Sequence, residues 1–177
     1  MPVPAAVVVR EPSELRLVLT IKQNQRVIFR DTTGDGLAYT EYSEPTTARL
    51  YPLWIPTGPG AGQLLVAYNG RPLKDRARRF HIQNQRVMSI DTLLTFDGPP
   101  RDVDQDGRLE FAGLDDYSEG MSDAQGHPLD VYNPVLYYEA GPAGLVLDSA
   151  LTRRRAIARY GAFHGFAYSD KLTFPAR

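Results

Sequence analysis

Ten residues occur twice in this chain, sixty positions apart: QNQRVIFRDT at 23–32 and QNQRVMSIDT at 83–92, identical at seven positions. Each copy is flanked by runs that alternate apolar and polar residues. Before the first copy, Leu15, Leu17, Leu19 and Ile21 recur at every second position, and Val27 and Phe29 share one face after it. Around the second, Phe80 and Ile82 come before the polar tip and Met88 and Ile90 after it, now on even positions. A period of two belongs to a half-buried strand. A short polar step between two such runs is a hairpin turn. Each copy therefore predicts the turn and return strand of a β-hairpin, the two being structurally alike. Gln and Asn at the tips read as solvated turn residues rather than ligands. Two copies are too few for a solenoid.

Further strands are expected in LAYTEYS, in ARLYPLWIP with an edge or bend at Pro52, and in QLLVAYNG, which ends on the turn pair Asn69-Gly70. PTGPGAG reads as a flexible loop, and RPLKDRARR as a solvated surface strand or loop. RLEFAGLDDY is a strand, and PVLYYEA and LVLDS pair across the turn GPAG. One helix is expected, capped by Asp148 or Ser149, running through ALTRRRAIARY and stopped by Gly161. Leu151, Ala158 and Tyr160 would face the body, with Arg153, Arg154, Arg155 and Arg159 in solvent. The class is mainly β: an antiparallel sheet or a sandwich- or barrel-like fold with one short C-terminal helix. The 177 residues suit a single β-rich domain, with hairpin-based halves at about 12–70 and 71–177.

A net charge of −1 gives no long-range field toward nucleic acid or an anionic membrane. The absence of cysteine excludes disulfides, thiolate zinc sites and cysteine nucleophiles. No apolar run approaches the roughly 18–20 residues that span a bilayer. The opening MPVPAAVVV is short and proline-broken and lacks a basic start, so no signal peptide is visible in it.

The stretch with specific chemistry is DVDQDGRLE. Asp102, Asp104 and Asp106 occupy positions 1, 3 and 5 of a loop, Gly107 position 6, Arg108 position 7 and Glu110 position 9. Three carboxylates at this spacing converge only if the chain curls round a common point, and a hard dication supplies one. Glycine at position 6 takes the tight turn, position 7 gives its backbone carbonyl, and Glu110 adds oxygen. An all-oxygen set favours Ca2+ over zinc or copper. Position 12 is Gly113 rather than the bidentate glutamate of an EF-hand, and a strand follows instead of a helix. DTTGDG at 31–36 is a degenerate echo.

The loop resembles the calcium loops of FG-GAP and VCBS-type β repeats, which carry Asp at position 9 more often than Glu. Over the last eighty residues, a DxDxDG loop, a strand, a polar loop and the tyrosine-rich YNPVLYYEAGPAGLVLDS are similar to bacterial envelope β-domains related to periplasmic lysozyme inhibitors. The resemblance implies a calcium site at Asp102, Asp104, Asp106, Arg108 (backbone) and Glu110, and a periplasmic or secreted location. The family's inhibitory loop has no residue-by-residue match; YSEGMSDAQG at 117–126 sits where it could lie.

For catalysis the best candidate is His127 with Asp123 and Asp130; His81 and His164 read as structural. Tyr39, Tyr42, Tyr51 and Trp54, and Tyr132, Tyr137 and Tyr138, would form a binding face if exposed and core if buried. The loop from Ser118 to Pro134 is long for a hairpin connection and is expected to meet a partner. The expectation is a non-enzymatic, calcium-stabilised extracytoplasmic module binding a protein or a cell-wall glycan. The alternatives are an inhibitor or immunity protein against a cell-wall hydrolase, or a hydrolase using His127.

Overall fold

The computed structural model describes residues 4–10, 17–32, 37–39, 50–70, 73–115 and 121–175. It is mainly antiparallel β with one short helix among the described residues, as the alternating runs predicted, and its sheets are open rather than closed into a barrel. The chain divides into two compact units, 1–95 with 140–145 and 96–139 with 146–177.

In the first unit, β1 (Ala5–Arg10), β2 (Leu17–Gln23) and β3 (Arg26–Thr32) form a three-stranded sheet with β2 central. A second sheet runs β4 (Leu37–Tyr39), β6 (Ala61–Gly70), β7 (Leu73–Gln83), β8 (Arg86–Leu94), with β5 (Leu53–Gly58) also paired to β6. Leu19 and Ile21 of the first sheet share one core with Leu64, Val66, Phe80 and Ile82 of the second. Phe29 meets Phe80 edge-on at 5.0 Å. Burying one such side chain contributes roughly 1.5–3 kcal/mol.

The two repeats are the same backbone object. Each is closed by a two-residue turn, Asn24-Gln25 and Asn84-Gln85, with φ of 52°, 63°, 48° and 61°. These are the left-handed values that a type I′ hairpin requires. Gln23 pairs with Arg26 and Gln83 with Arg86, and both hairpins carry one extra residue at the same place, Ile28 and Met88. That bulge overturns part of the sequence reading. Val27 does not share a face with Phe29: it is 49% exposed, while Ile28 and Phe29 pack on the core. Met88, 63% exposed, and Ile90 lie outside, and Val87 packs inward instead. An inserted residue breaks the alternation.

Among the described residues β5 pairs with β6 alone, in keeping with the edge reading of Pro52. PTGPGAG is a tight hairpin rather than a flexible loop: Gly58 pairs with Ala61 across Pro59-Gly60, with Gly60 at φ 72°. Asn69-Gly70 are the last residues of β6 and not its turn, since Gly70 pairs with Leu73. RPLKDRARR is not peripheral either. β7 pairs with a strand on each side, including across residue 70, where the two sequence halves were placed. Two of its arginines are compensated by carboxylates: Arg78 bonds Asp31, and Arg79 forks onto Asp91 at 2.8 and 2.7 Å.

The tip of a later hairpin, 140–145, clusters with this unit. Gln63 is 4% exposed; its Oε1 accepts from Leu145 N at 2.9 Å and its Nε2 approaches Ala143 O at 3.4 Å. Arg79 Nη1 donates to Leu145 O at 2.9 Å. Gly144 sits at φ 90°, and a Cβ there would stand 2.1 Å from the Gln63 amide.

β9 (Glu110–Gly113) pairs with β12 (Leu136–Gly141), which turns through Pro142-Ala143 into β13 (Gly144–Leu147); apart from the 140–145 tip, these strands belong to the second unit. Phe96 stacks on Phe111 at 4.9 Å and meets Tyr138 at 5.7 Å. The connection expected as a loop from Ser118 to Pro134 is largely a hairpin, β10 (Met121–Ser122) and β11 (Pro128–Tyr132). Asp123 makes it one: Oδ1 accepts from Gln125 N and His127 N, both at 2.8 Å, folding the chain back. Helix α1 (Ser149–Tyr160) is capped by Asp148, whose Oδ1 accepts from Leu151 N at 2.8 Å, and ended by Gly161 at φ 81°. Its buried residues are Leu151, Thr152, Ala156 and Tyr160; Ala158 is exposed, contrary to expectation. The buried stripe runs 152, 156, 160, and Thr152 fits it because its hydroxyl accepts from Tyr137 N at 3.0 Å. A strand absent from the sequence reading, β14 (Ser169–Pro175), follows the helix and pairs with β11. Tyr132, Ala156 and Tyr160 form the core there, with Phe163, Leu172 and Phe174 against it.

Candidate metal centre

The 102–110 loop is gripped at its base. Arg101 and Glu110 exchange backbone bonds of 3.0 and 2.9 Å, so the intervening residues must loop out. Gln105 at φ 66° and Gly107 at φ 87° supply the curl. Asp102 organises it: Oδ1 accepts from Asp106 N and Oδ2 from Gly107 N, each at 3.1 Å. Asp106 Oδ1 accepts from Arg108 N at 2.9 Å.

The result gathers Asp102, Asp104 and Asp106, each offering one carboxylate oxygen, with those oxygens all within 4.8 Å of one another. Ligand oxygens across one calcium ion stand up to about 5 Å apart, twice its bond length. The three can therefore hold one metal ion. Asp104 Oδ1 is buried without a hydrogen-bond partner, an arrangement that costs free energy unless something positive faces it.

The other two expected residues sit differently. Glu110 is not in the group. It is 2% exposed, and its Oε2 accepts from Val103 N at 2.8 Å, tying the loop to the first residue of β9. Burial pushes its carboxyl above the usual range; the Val103 N–H opposes this and the three aspartates add to it. The Arg108 guanidinium bonds Glu139 at 2.8 and 3.0 Å, and its Nε also stands 3.8 Å from Asp106 Oδ2, so only its main-chain carbonyl is offered as a donor.

Sequence spacing missed the cations that serve this site. Arg154 Nη2 of α1 bonds Asp104 Oδ2 at 2.7 Å, and Arg155 Nη2 bonds Val103 O at 3.0 Å. These arginines were expected to be solvated, and both are largely exposed, yet each is engaged. Fifty residues separate Arg154 from its partner, and no local pattern signals that.

His127 Nδ1 meets Asp123 Oδ2 at 3.0 Å, but the imidazole is 75% exposed. The same aspartate is occupied with turn N–H groups, and Asp130 faces Arg159 at 3.7 Å. The three residues do not form one constellation. His81 bonds Asp91 at 3.2 Å, and the His164 ring packs on Tyr132. Tyr132 and Tyr138 are core; Tyr51, Trp54 and Tyr137 are half-buried. The side chain of Tyr39, all of Tyr42 and most of the 31–36 echo lie outside the described residues. No described helix is long and apolar enough to cross a membrane. No protein-family model, curated protein or solved structure matches the chain.

Proposed function

We propose that the protein is a non-enzymatic, calcium-stabilised binding module that acts in the periplasm or outside the cell on a macromolecular partner, a protein or a cell-wall glycan. The observation that carries this reading is the convergence of Asp102, Asp104 and Asp106 on one point, with Asp104 Oδ1 buried and unpartnered. The donors are all hard oxygens, which favours calcium over softer metals. Arg108, through its carbonyl, and Glu110 are the proposed further donors. The extracytoplasmic setting draws support from the resemblance to calcium-loop envelope domains. A bound dication would offset two of the three carboxylate charges, with Arg154 already facing Asp104, and fix the loop that leads into β9, so its work is structural.

Thermal unfolding of the full chain with calcium, extended into the millimolar range, and with chelator tests the ion. Calcium at about 100 times its dissociation constant adds about 2.7 kcal/mol of stability. Asp104→Ala should abolish that gain. An unchanged midpoint in wild type across the whole series refutes the calcium reading.

A further inference from the structure

A cavity of about 280 Å3 opens in the first unit, lined by Gln23, Trp54, Pro56, Ala61 and the 58–60 turn. Trp54 is the chain's single tryptophan. It is half-buried and packs on the core, and it lies so close to Gly62 that a Cβ there would stand 2.3 Å from its six-membered ring. The indole is therefore a fixed platform. The Pro59-Gly60 turn is held by Asn84 N, which donates to Gly60 O at 2.9 Å. Both copies of the repeat thus serve this cavity: Gln23 of the first forms part of its wall, and Asn84 of the second braces its rim. Among the described residues, no charged side chain lines it.

We propose that this cavity binds one neutral pyranose ring of a glycan, its C–H face on Trp54 and its hydroxyls toward the Gln23 amide and the peptide groups of the turn. The volume lies just under the roughly 300–1,000 Å3 of drug-sized sites, which suits one ring rather than an extended chain. An uncharged wall disfavours phosphates and sugar acids, whose charge would be desolvated without a partner. Proline-rich peptides dock along grooves lined with aromatics, and among the described residues one aromatic lines this cavity. Nucleobases also stack on tryptophan, but their backbone calls for cations that this wall lacks. The proposal rests on the reading that the protein binds a macromolecule, and it narrows that partner to a glycan. It does not depend on the ion.

Emission of the single tryptophan reads the site directly. Full-length protein is titrated with an N-acetylglucosamine trimer and, separately, a glucose trimer, each to about 10 mM, in calcium and in chelator. The expected result is a saturable change with at least one trimer. Ala61→Leu, which fills the cavity, should weaken it at least tenfold while keeping the unfolding midpoint. If that variant does not fold, Pro56→Ser, in the exposed wall, is expected to weaken binding instead. The proposal is overturned by silence with both sugars, by a response undiminished in the folded variant, or by a response to a proline-rich decapeptide in place of the sugars. A sugar response without a calcium effect on stability sinks the ion and keeps this site; the reverse result sinks this site alone.

Discussion

The hairpins β2–β3 and β7–β8 share their turn sequence, their left-handed turn residues, their register and the place of their bulge, yet they bury opposite faces. At the positions next to the turns, what packs inward in one is at least partly exposed in the other. Ile21 is buried where its counterpart His81 is half-exposed; Lys22 is exposed where Ile82 is buried. Phe29 packs on the core where Ser89 is exposed, and Val27 is exposed where Val87 packs inward. The turn dictates pairing and says nothing about which side meets the core. That choice belongs to the flanking residues, whose apolar phase is shifted by one between the copies. The shift lets both hairpins contribute to one core, Leu19 and Ile21 from one and Phe80 and Ile82 from the other.

The strongest way to break this comparison is to exchange residues at equivalent positions. Ile82→Lys buries an unpaired ammonium and should cost more than about 3 kcal/mol, while Lys22→Ile should change stability by less than about 0.5 kcal/mol. Chemical denaturation of both variants decides it; similar costs would mean that the two faces are not opposed. The turns offer a sharper and smaller test. Gln25 and Gln85 hold a left-handed conformation that favours glycine, so Gln25→Gly and Gln85→Gly should each stabilise by about 0.5–1 kcal/mol. Equal gains in thermal midpoint confirm that the turns are equivalent, and unequal gains separate them.

The smallest effect concerns the repeated aspartate. Asp31 pairs with Arg78, on β7 of the other hairpin, whereas Asp91 pairs with Arg79 of its own. The Arg79 hydrogen bonds hold the Asp91 carboxyl below the usual range; partial burial opposes this, and His81 reinforces it. A depressed folded value means that the pair's contribution is present above the unfolded value, near 3.9, and is lost as pH falls through the lower folded one. The aspartate is 45% exposed, so the contribution is below about 1 kcal/mol. Asp91→Asn should flatten the acid limb of stability below about pH 4 and leave the slope above pH 6 unchanged, as urea midpoints across pH will show.

Strand periodicity, both repeat turns, the GPAG hairpin and the helix with its αL glycine were legible because each is encoded within a few neighbouring residues. The bulges at Ile28 and Met88 were not, since an inserted residue leaves no mark in composition, and the facing of Val27 and Met88 was misassigned for that reason. β14 escaped because only Leu172 and Phe174 carry its alternation. At the candidate metal centre the aspartate spacing was enough to gather three carboxylates. The place of Glu110 outside that group follows from its position at the start of β9, and the grip of Arg154 and Arg155 from the docking of α1. Both depend on contacts remote in sequence.

Gln63 has a consequence of its own. With one donor and one acceptor set against the hairpin tip, its amide stands in for a peptide group of a neighbouring strand. Arg79 takes the Leu145 carbonyl, so both main-chain polar groups of Leu145 end on side chains. A residue so covered cannot template pairing with another chain. Its amide proton, one residue beyond a turn glycine, should not exchange at the rate of a fraying turn. Its exchange will be limited by the opening of the first unit, which makes a single resonance a gauge of that unit's stability.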